Sequence, residues 1–216
     1  AQSPTTAREA TDRARGELRV LWRAPADAAD TLAQAHLAAE LLVAPDGPLM
    51  DFLRRDGRGG RARPVVVADG PVALVGVAID APVAVLPQAA KAARSAAAKA
   101  GSVSLPTDDL RAVQRRVIAR IRRTLATTRA RARWLAGHAR TGRTLLGPEG
   151  WRTFKSALDQ LASEEAAAAA RRVFRRDAQL TVEIGAPRTA QRAGGRDGRG
   201  ARAPLGGRPH GRQPGR

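Results

Sequence analysis

Hydrophobic positions recur with two periods along this chain. From Glu17 to Arg23 the residues (Glu-Leu-Arg-Val-Leu-Trp-Arg) alternate loosely and favour extended backbone, and Pro25 closes the run, which predicts a strand. Between Asp30 and Val43 the period changes. Leu32, Ala35, Ala39 and Leu42 fall at spacings of three and four, the mark of a helix face, and Pro45-Asp46-Gly47-Pro48 breaks it. A short helix follows through Leu49, Phe52 and Leu53. Residues 56–63 form a glycine- and arginine-rich loop. Val65–Ala68 and Val72–Ile79 read as strands joined by Asp69-Gly70-Pro71, which predicts a hairpin.

Past Pro82 the helical period returns. Ala89 to Ala100 is nearly all alanine and ends at Gly101, a C-cap by sequence. The next helix opens at Leu105-Pro106-Thr107-Asp108-Asp109, with Thr107 as the N-cap acceptor and the two aspartates suited to the positive helix end. Leu110, Val113, Val117, Ile121 and Leu125 mark its buried face. A basic helix is expected from Arg111 to Arg143, and a helical stretch covers Trp134 to His138. Gly147-Pro148-Glu149-Gly150 breaks the pattern. Trp151, Phe154, Leu158 and Leu161 define the next amphipathic helix, Ser163-Glu164-Glu165 opens a last one to about Arg176, and Gln179–Ile184 is a closing strand. The order implies an α+β domain, a mainly antiparallel sheet covered by helices. Residues 1–16 read as a leader or linker, 17–187 as the domain, and 188–216 as an Arg/Gly/Pro-rich tail too poor in apolar surface to fold.

Composition refines this picture. The 216 residues suit one domain plus tails. The hydrophobic fraction is 43% but largely alanine, with 3% aromatic and no Tyr, so closely approaching helices are expected rather than large core anchors. The formal charge of +18 is almost all arginine, lysine occurring only at 91, 99 and 155. Two readings stay open: a coding bias of a bacterial type, or a polyanion-binding surface. The tail holds eight arginines against one aspartate. The absence of cysteine excludes disulfides, thiolate metal sites and a Cys nucleophile, and no apolar run approaches the roughly 20 residues of a membrane span. The compartment stays open between exported or periplasmic and cytoplasmic. The opening Ala-Gln-Ser-Pro fits either a signal-cleaved end or a fragment boundary.

Candidate chemistry is sparse. The loop at 56–63 lacks the Gly-Lys-Ser/Thr of a phosphate-cradling turn, and there is no Gly-x-Ser-x-Gly nucleophile elbow. His36 and Glu40 stand at i and i+4, where they share a helix face. Two ligands are too few for a metal, so a solvated or hydrogen-bonded pair is expected. His138 lies in a basic stretch and His210 in the tail. For nucleic acid, only Trp134 interrupts the arginines of the basic helix, so base stacking has little support and phosphate contact is the mode left open.

Several segments, in order, resemble one repeat of the pitrilysin/insulinase family of zinc peptidases, over residues 17–187. They are Val20-Leu21-Trp22-Arg23-Ala24-Pro25, the helix ending Leu41-Leu42, and Leu49-Met50-Asp51-Phe52-Leu53-Arg54. Further along stand Leu105-Pro106-Thr107-Asp108-Asp109-Leu110, Leu158-Asp159-Gln160-Leu161, Ser163-Glu164-Glu165-Ala166 and Leu180 to Pro187. The family's active repeats bind Zn²⁺ through a His-x-x-Glu-His helix, which none of the three histidines here supplies. The resemblance therefore implies a non-catalytic partner repeat, with no metal of its own, zinc on another repeat of the same or another chain, and a peptide substrate enclosed between them. It also implies a substrate-binding role for Arg54, which matches an arginine that contacts substrate backbone in the family's second repeat. The tyrosine expected seven residues later is replaced by Arg61. A basic polyanion-binding protein and a degenerate repeat with a structural role are the alternatives.

Overall fold

A computed structural model describes residues 15–55, 59–69, 71–129, 131–132 and 148–184. Four antiparallel strands form one sheet in the order β2-β3-β1-β4: β1 Arg15–Pro25, β2 Arg61–Asp69, β3 Val72–Pro82 and β4 Gln179–Ile184. Six helices occur among the described residues: α1 Ala29–Leu42, α2 Pro48–Arg54, α3 Leu86–Ser102, α4 Thr107–Thr124, α5 Pro148–Gln160 and α6 Ser163–Val173. The α+β architecture with a mainly antiparallel sheet is the one the sequence predicts.

Strand period two decides which residues meet the helices. Leu18, Val20, Trp22 and Ala24 of β1 and Ala73, Val75, Val77, Ile79 and Ala81 of β3 are all buried on the helical side. α1 is apolar around nearly its whole circumference and is buried accordingly, with α3, α4, α5, α6 and three strands against it. Trp22 is 2% exposed and meets Phe174 edge-on at 4.8 Å between ring centroids, tying the central strand to the end of α6. The opposite sheet face carries a small cluster of strand residues only, Leu21, Val65 and Ala78 with Leu74. There Glu17 accepts from Arg19 at 2.7 Å and from Arg63 at 3.2 Å. The Arg19 hydrogen bond, aided by Arg63, holds the Glu17 carboxyl below the usual carboxylate range against the opposing effect of burial.

Several boundaries differ from the sequence reading, each for a local reason. β1 begins at Arg15, because Arg15 is anchored to Asp80 and to the Gly59 carbonyl. The glycine-rich loop gives way to strand at Arg61, where β2 pairs with β3 through Arg61↔Asp80. Gly101 is no cap. It lies inside α3, which runs to Ser102 with Val103 as its cap, and it is glycine because α6 presses on it: an added Cβ would lie 2.8 Å from Arg171 Cγ. Arg171 donates to the Gly101 carbonyl at 2.7 Å. Thr107 is the first residue of α4 rather than its cap, and Pro106 occupies the cap with no side-chain hydrogen bond. α4 stops at Thr124 instead of running to Arg143; Thr124 bonds back to the Arg120 carbonyl, and Arg131 donates to the Leu125 carbonyl past the helix end. α5 starts at Pro148, so Gly150 is helical, and α6 ends at Val173, before a 3₁₀ turn at Arg176–Ala178. The Trp134–His138 stretch, His210 and the tail lie outside the described residues. No described helix is long and apolar enough to cross a membrane.

Candidate functional site

Arg54 ends α2, a two-turn helix with Pro48 at its first position, where a missing N–H costs nothing. Leu49 and Leu53, four apart, bury one face of α2 among residues of α3 and the sheet. That leaves Arg54 exposed on the opposite side. Its guanidinium donates to the Pro45 carbonyl and stands 4.0 Å from Asp51 Oδ1, so it is held over the loop that precedes its own helix. Arg carries five N–H donors, and this arrangement engages only part of the fork.

Arg61, at the position of the expected tyrosine, is the exposed first residue of edge strand β2. Gly60 abuts α2: an added Cβ would lie 2.5 Å from Leu53 Cδ2. The end of α2 and the start of β2 therefore share one corner of the sheet. Sequence reasoning misses two members of this corner. Arg15 binds Asp80 Oδ1 through Nε at 2.7 Å and through Nη2 at 2.5 Å, and it reaches the Gly59 carbonyl at 3.1 Å. By pattern Arg15 belongs to a leader, and Asp80 only follows the end of a strand. No spacing rule joins residues so distant in sequence.

His36 and Glu40 sit together on α1, both buried, with Arg120 of α4 between them. Arg120 Nε donates to Glu40 Oε2 at 3.1 Å, and its Nη2 lies 3.2 Å from His36 Nδ1. Arg116 Nε stands 3.7 Å from Glu40 Oε1, and the His36 ring meets Phe154 edge-on at 5.5 Å. The pair is hydrogen-bonded and buried rather than solvated, and it joins α1 to α4. Among the described residues no three His, Cys, Asp or Glu side chains converge as metal ligands do.

The arginines of α4 are not evenly spread. Arg111, Arg115 and Arg122 line one groove of about 740 Å³ with Lys155 of α5, over a floor that includes Ile118 and Ala119. Their spacing of four and seven places them along one helix face. Lys155 pairs there with Asp159. No periodic rule distinguishes this stripe from the other arginines, because Arg116 and Arg120 also fall on turns of the same helix and only the tertiary structure turns them toward Glu40.

No known family pattern matches the chain, and neither does any curated protein sequence. Solved structures do match by fold. The inactive peptidase domain of a candidate zinc protease from Bordetella parapertussis shares 16% identity at a TM-score of 0.60, the match covering 83% of this chain and 95% of that one. A chain of complex III2 from Candida albicans matches at 10% identity and a TM-score of 0.61, with 79% of this chain against 43% of its own length. A predicted insulinase family protease from Yersinia pestis matches at 16% identity and a TM-score of 0.54, covering 79% and 39%. This chain thus spans nearly all of the Bordetella domain and less than half of the two longer chains. In fold, the chain is similar to one domain of these insulinase-type peptidase structures.

Proposed function

We propose that the chain is a non-catalytic half-domain that pairs with a zinc-bearing repeat of the same fold and helps enclose a peptide substrate. The observation that carries this reading is the fold shared over 83% of this chain with a domain described as the inactive peptidase domain of a candidate zinc protease. A sequence without His-x-x-Glu-His supports the same assignment. In the assembly, zinc resides on the partner repeat, and Arg54 donates to a carbonyl of the bound peptide with the part of its fork that the chain leaves unengaged. Charge-assisted donors of this kind favour one peptide register over others.

Arg54→Ala tests the reading. In a complex reconstituted with a zinc-bearing repeat, turnover of a quenched peptide falls about tenfold, the usual consequence of losing one hydrogen bond to a charged group. Stability of the variant stays within about 0.5 kcal/mol of the parent, because the side chain is exposed. Unchanged turnover by an intact complex removes Arg54 from the site. Failure of the chain to associate with zinc-bearing repeats encoded beside it removes the whole reading.

One observation favours a second reading, the arginine stripe of α4. Arg111, Arg115 and Arg122 with Lys155 form a basic groove of a kind suited to phosphates, with no aromatic ring lining it among the described residues. On this reading the chain binds duplex DNA or RNA without sequence preference, in the range of about 10⁻⁴–10⁻⁶ M at physiological salt. Changing Arg111, Arg115 and Arg122 together to glutamine then flattens the slope of log affinity against log salt by about 2–3 units, near 0.9 for each phosphate that is no longer neutralised. An unaltered slope assigns any residual binding to the remaining arginines and sinks the second reading.

A further inference from the structure

Among the described residues no helix covers the second face of the sheet, where Leu21, Val65 and Ala78 cluster with Leu74. Strand register sets out its rows. Val65, Gly76, Leu21 and Leu180 lie side by side across all four strands, an apolar row without a charged member. Val67 and Leu74 extend it on the next row. Three large hydrophobic side chains stand exposed among the described residues, and two of them, Val67 at 54% and Leu180 at 47%, belong to this face. Exposed apolar groups that gather on one face mark a surface that meets another molecule.

The charges flanking the apolar row do not balance. Arg15, Arg19, Arg23, Arg61 and Arg63 share the face by strand parity with only two described carboxylates, Glu17 and Asp80. Both carboxylates are taken, Glu17 by Arg19 and Arg63, Asp80 by Arg15. Register also sets Asp69 at the hairpin end of the face, which leaves the cations in excess. Arg23 and Arg61 are exposed and make no ion pair among the described residues. Arg23 lies one row to one side of the apolar row, and Arg61 two rows to the other. The interval between those levels along β1 is about 20 Å, the length of some six extended residues. At the Arg61 end the face runs into the corner of α2, where Arg15 donates to the Gly59 carbonyl and Gly60 abuts Leu53.

We infer that this face takes an extended peptide with an apolar centre and acidic residues on either side, its ends fixed by Arg23 and Arg61. Naming that peptide as the enclosed substrate rests on the half-domain reading above. A guanidinium holds a carboxylate through two parallel N–H donors, so each free arginine selects an acidic residue at its own end. The peptide's apolar centre covers Val67 and Leu180 and takes their surface from water. A basic peptide meets like charge at both ends and is rejected.

The probe is acetyl-Glu-Glu-Leu-Leu-Glu-Glu-amide, titrated calorimetrically into the purified chain at low salt, with the glutamine version as its neutral counterpart. The acidic peptide binds saturably, one per chain, and the neutral one at least about fivefold more weakly. A chain of formal charge +18 attracts any acidic peptide loosely, so the decisive comparison is charge-matched. Arg23→Gln with Arg61→Gln lowers the affinity about fivefold. Arg123→Gln with Arg152→Gln, exposed on α4 and α5, removes the same charge and changes it less than about twofold. Leu180→Asn alters no charge and lowers it about threefold. All five positions are exposed, so the variants fold as the parent does. Absence of saturable binding, equal losses from the two arginine pairs, or parental affinity in Leu180→Asn each overturns the inference. So does a short duplex DNA that displaces the peptide and is weakened by the Arg23 and Arg61 changes alone, which would make the face a phosphate site. Failure of the chain to associate with a zinc-bearing repeat removes the half-domain reading without moving any of these affinities, so the two fail separately.

Discussion

Gly76→Ala is expected to destabilise the domain by about 4 kcal/mol or more, enough to unfold much of a protein whose total stability falls in the ordinary ~5–15 kcal/mol range. The added Cβ would lie 2.0 Å from the Val20 carbonyl oxygen and 2.9 Å from Leu21 Cα. Both atoms belong to the backbone of β1. A clashing side chain can rotate away, but β1 is hydrogen-bonded to β3 on one side and β4 on the other, so its backbone has nowhere to retreat. Gly60→Ala is the internal control. Its Cβ would meet the terminal Cδ2 of Leu53 at 2.5 Å, a side-chain end that can shift, so its cost stays near ~1–2 kcal/mol. Denaturant unfolding of the two variants measures the difference. Equal stability of Gly76→Ala and the parent would show that β1 and β3 do not press together at this point.

Glu40→Ala is expected to cost about 3 kcal/mol, the lower end of what breaking a buried ion pair costs, since both arginines retain some access to water. The carboxylate is 7% exposed and faces Arg120 and Arg116 at once. Removing it leaves two cations beside the buried ring of His36, with α4 pushed away from α1. A double change distinguishes lost attraction from stranded charge. Glu40→Leu with Arg120→Met replaces the closer pair by apolar groups of similar length, and a substantial part of the loss should return, as it does when a buried pair is exchanged for packing. A single-variant cost below about 1 kcal/mol in thermal unfolding would reduce the cluster to a surface contact.

The strands, their antiparallel pairing and all six described helices are legible because periodicity in this chain is strong and its breaks carry proline or glycine. The hairpin at Asp69-Gly70-Pro71 and the closing strand Gln179–Ile184 are examples. What the pattern misplaces depends on contacts distant in sequence. Gly101 has the look of a helix cap, yet it is glycine because another helix lies against it. Thr107 has the chemistry of an N-cap, but Pro106 takes that position. The candidate sites divide the same way. Arg54 can be singled out from a local run of residues, whereas its corner with Arg15 and Asp80 is assembled by β1–β3 register. His36 and Glu40 are legible as neighbours on one helix turn. Their burial is not, because it depends on which arginines of α4 face inward, and α4 offers arginine on nearly every side.

The strand order has a consequence for how the chain is made. β1 emerges from the ribosome before the other strands and occupies an interior place in the sheet, yet one of its two neighbours, β4, comes far later, so that Leu21 pairs with Leu180 across most of the sequence. Pairing so distant in sequence forms slowly, since the loop between must close before any contact rewards it. Until Gln179–Ile184 is synthesised, the backbone of Glu17–Trp22 presents an unsatisfied edge flanked by leucine, valine and tryptophan. During that interval the nascent domain is open to pairing with foreign strands, and its last strand acts as the seal.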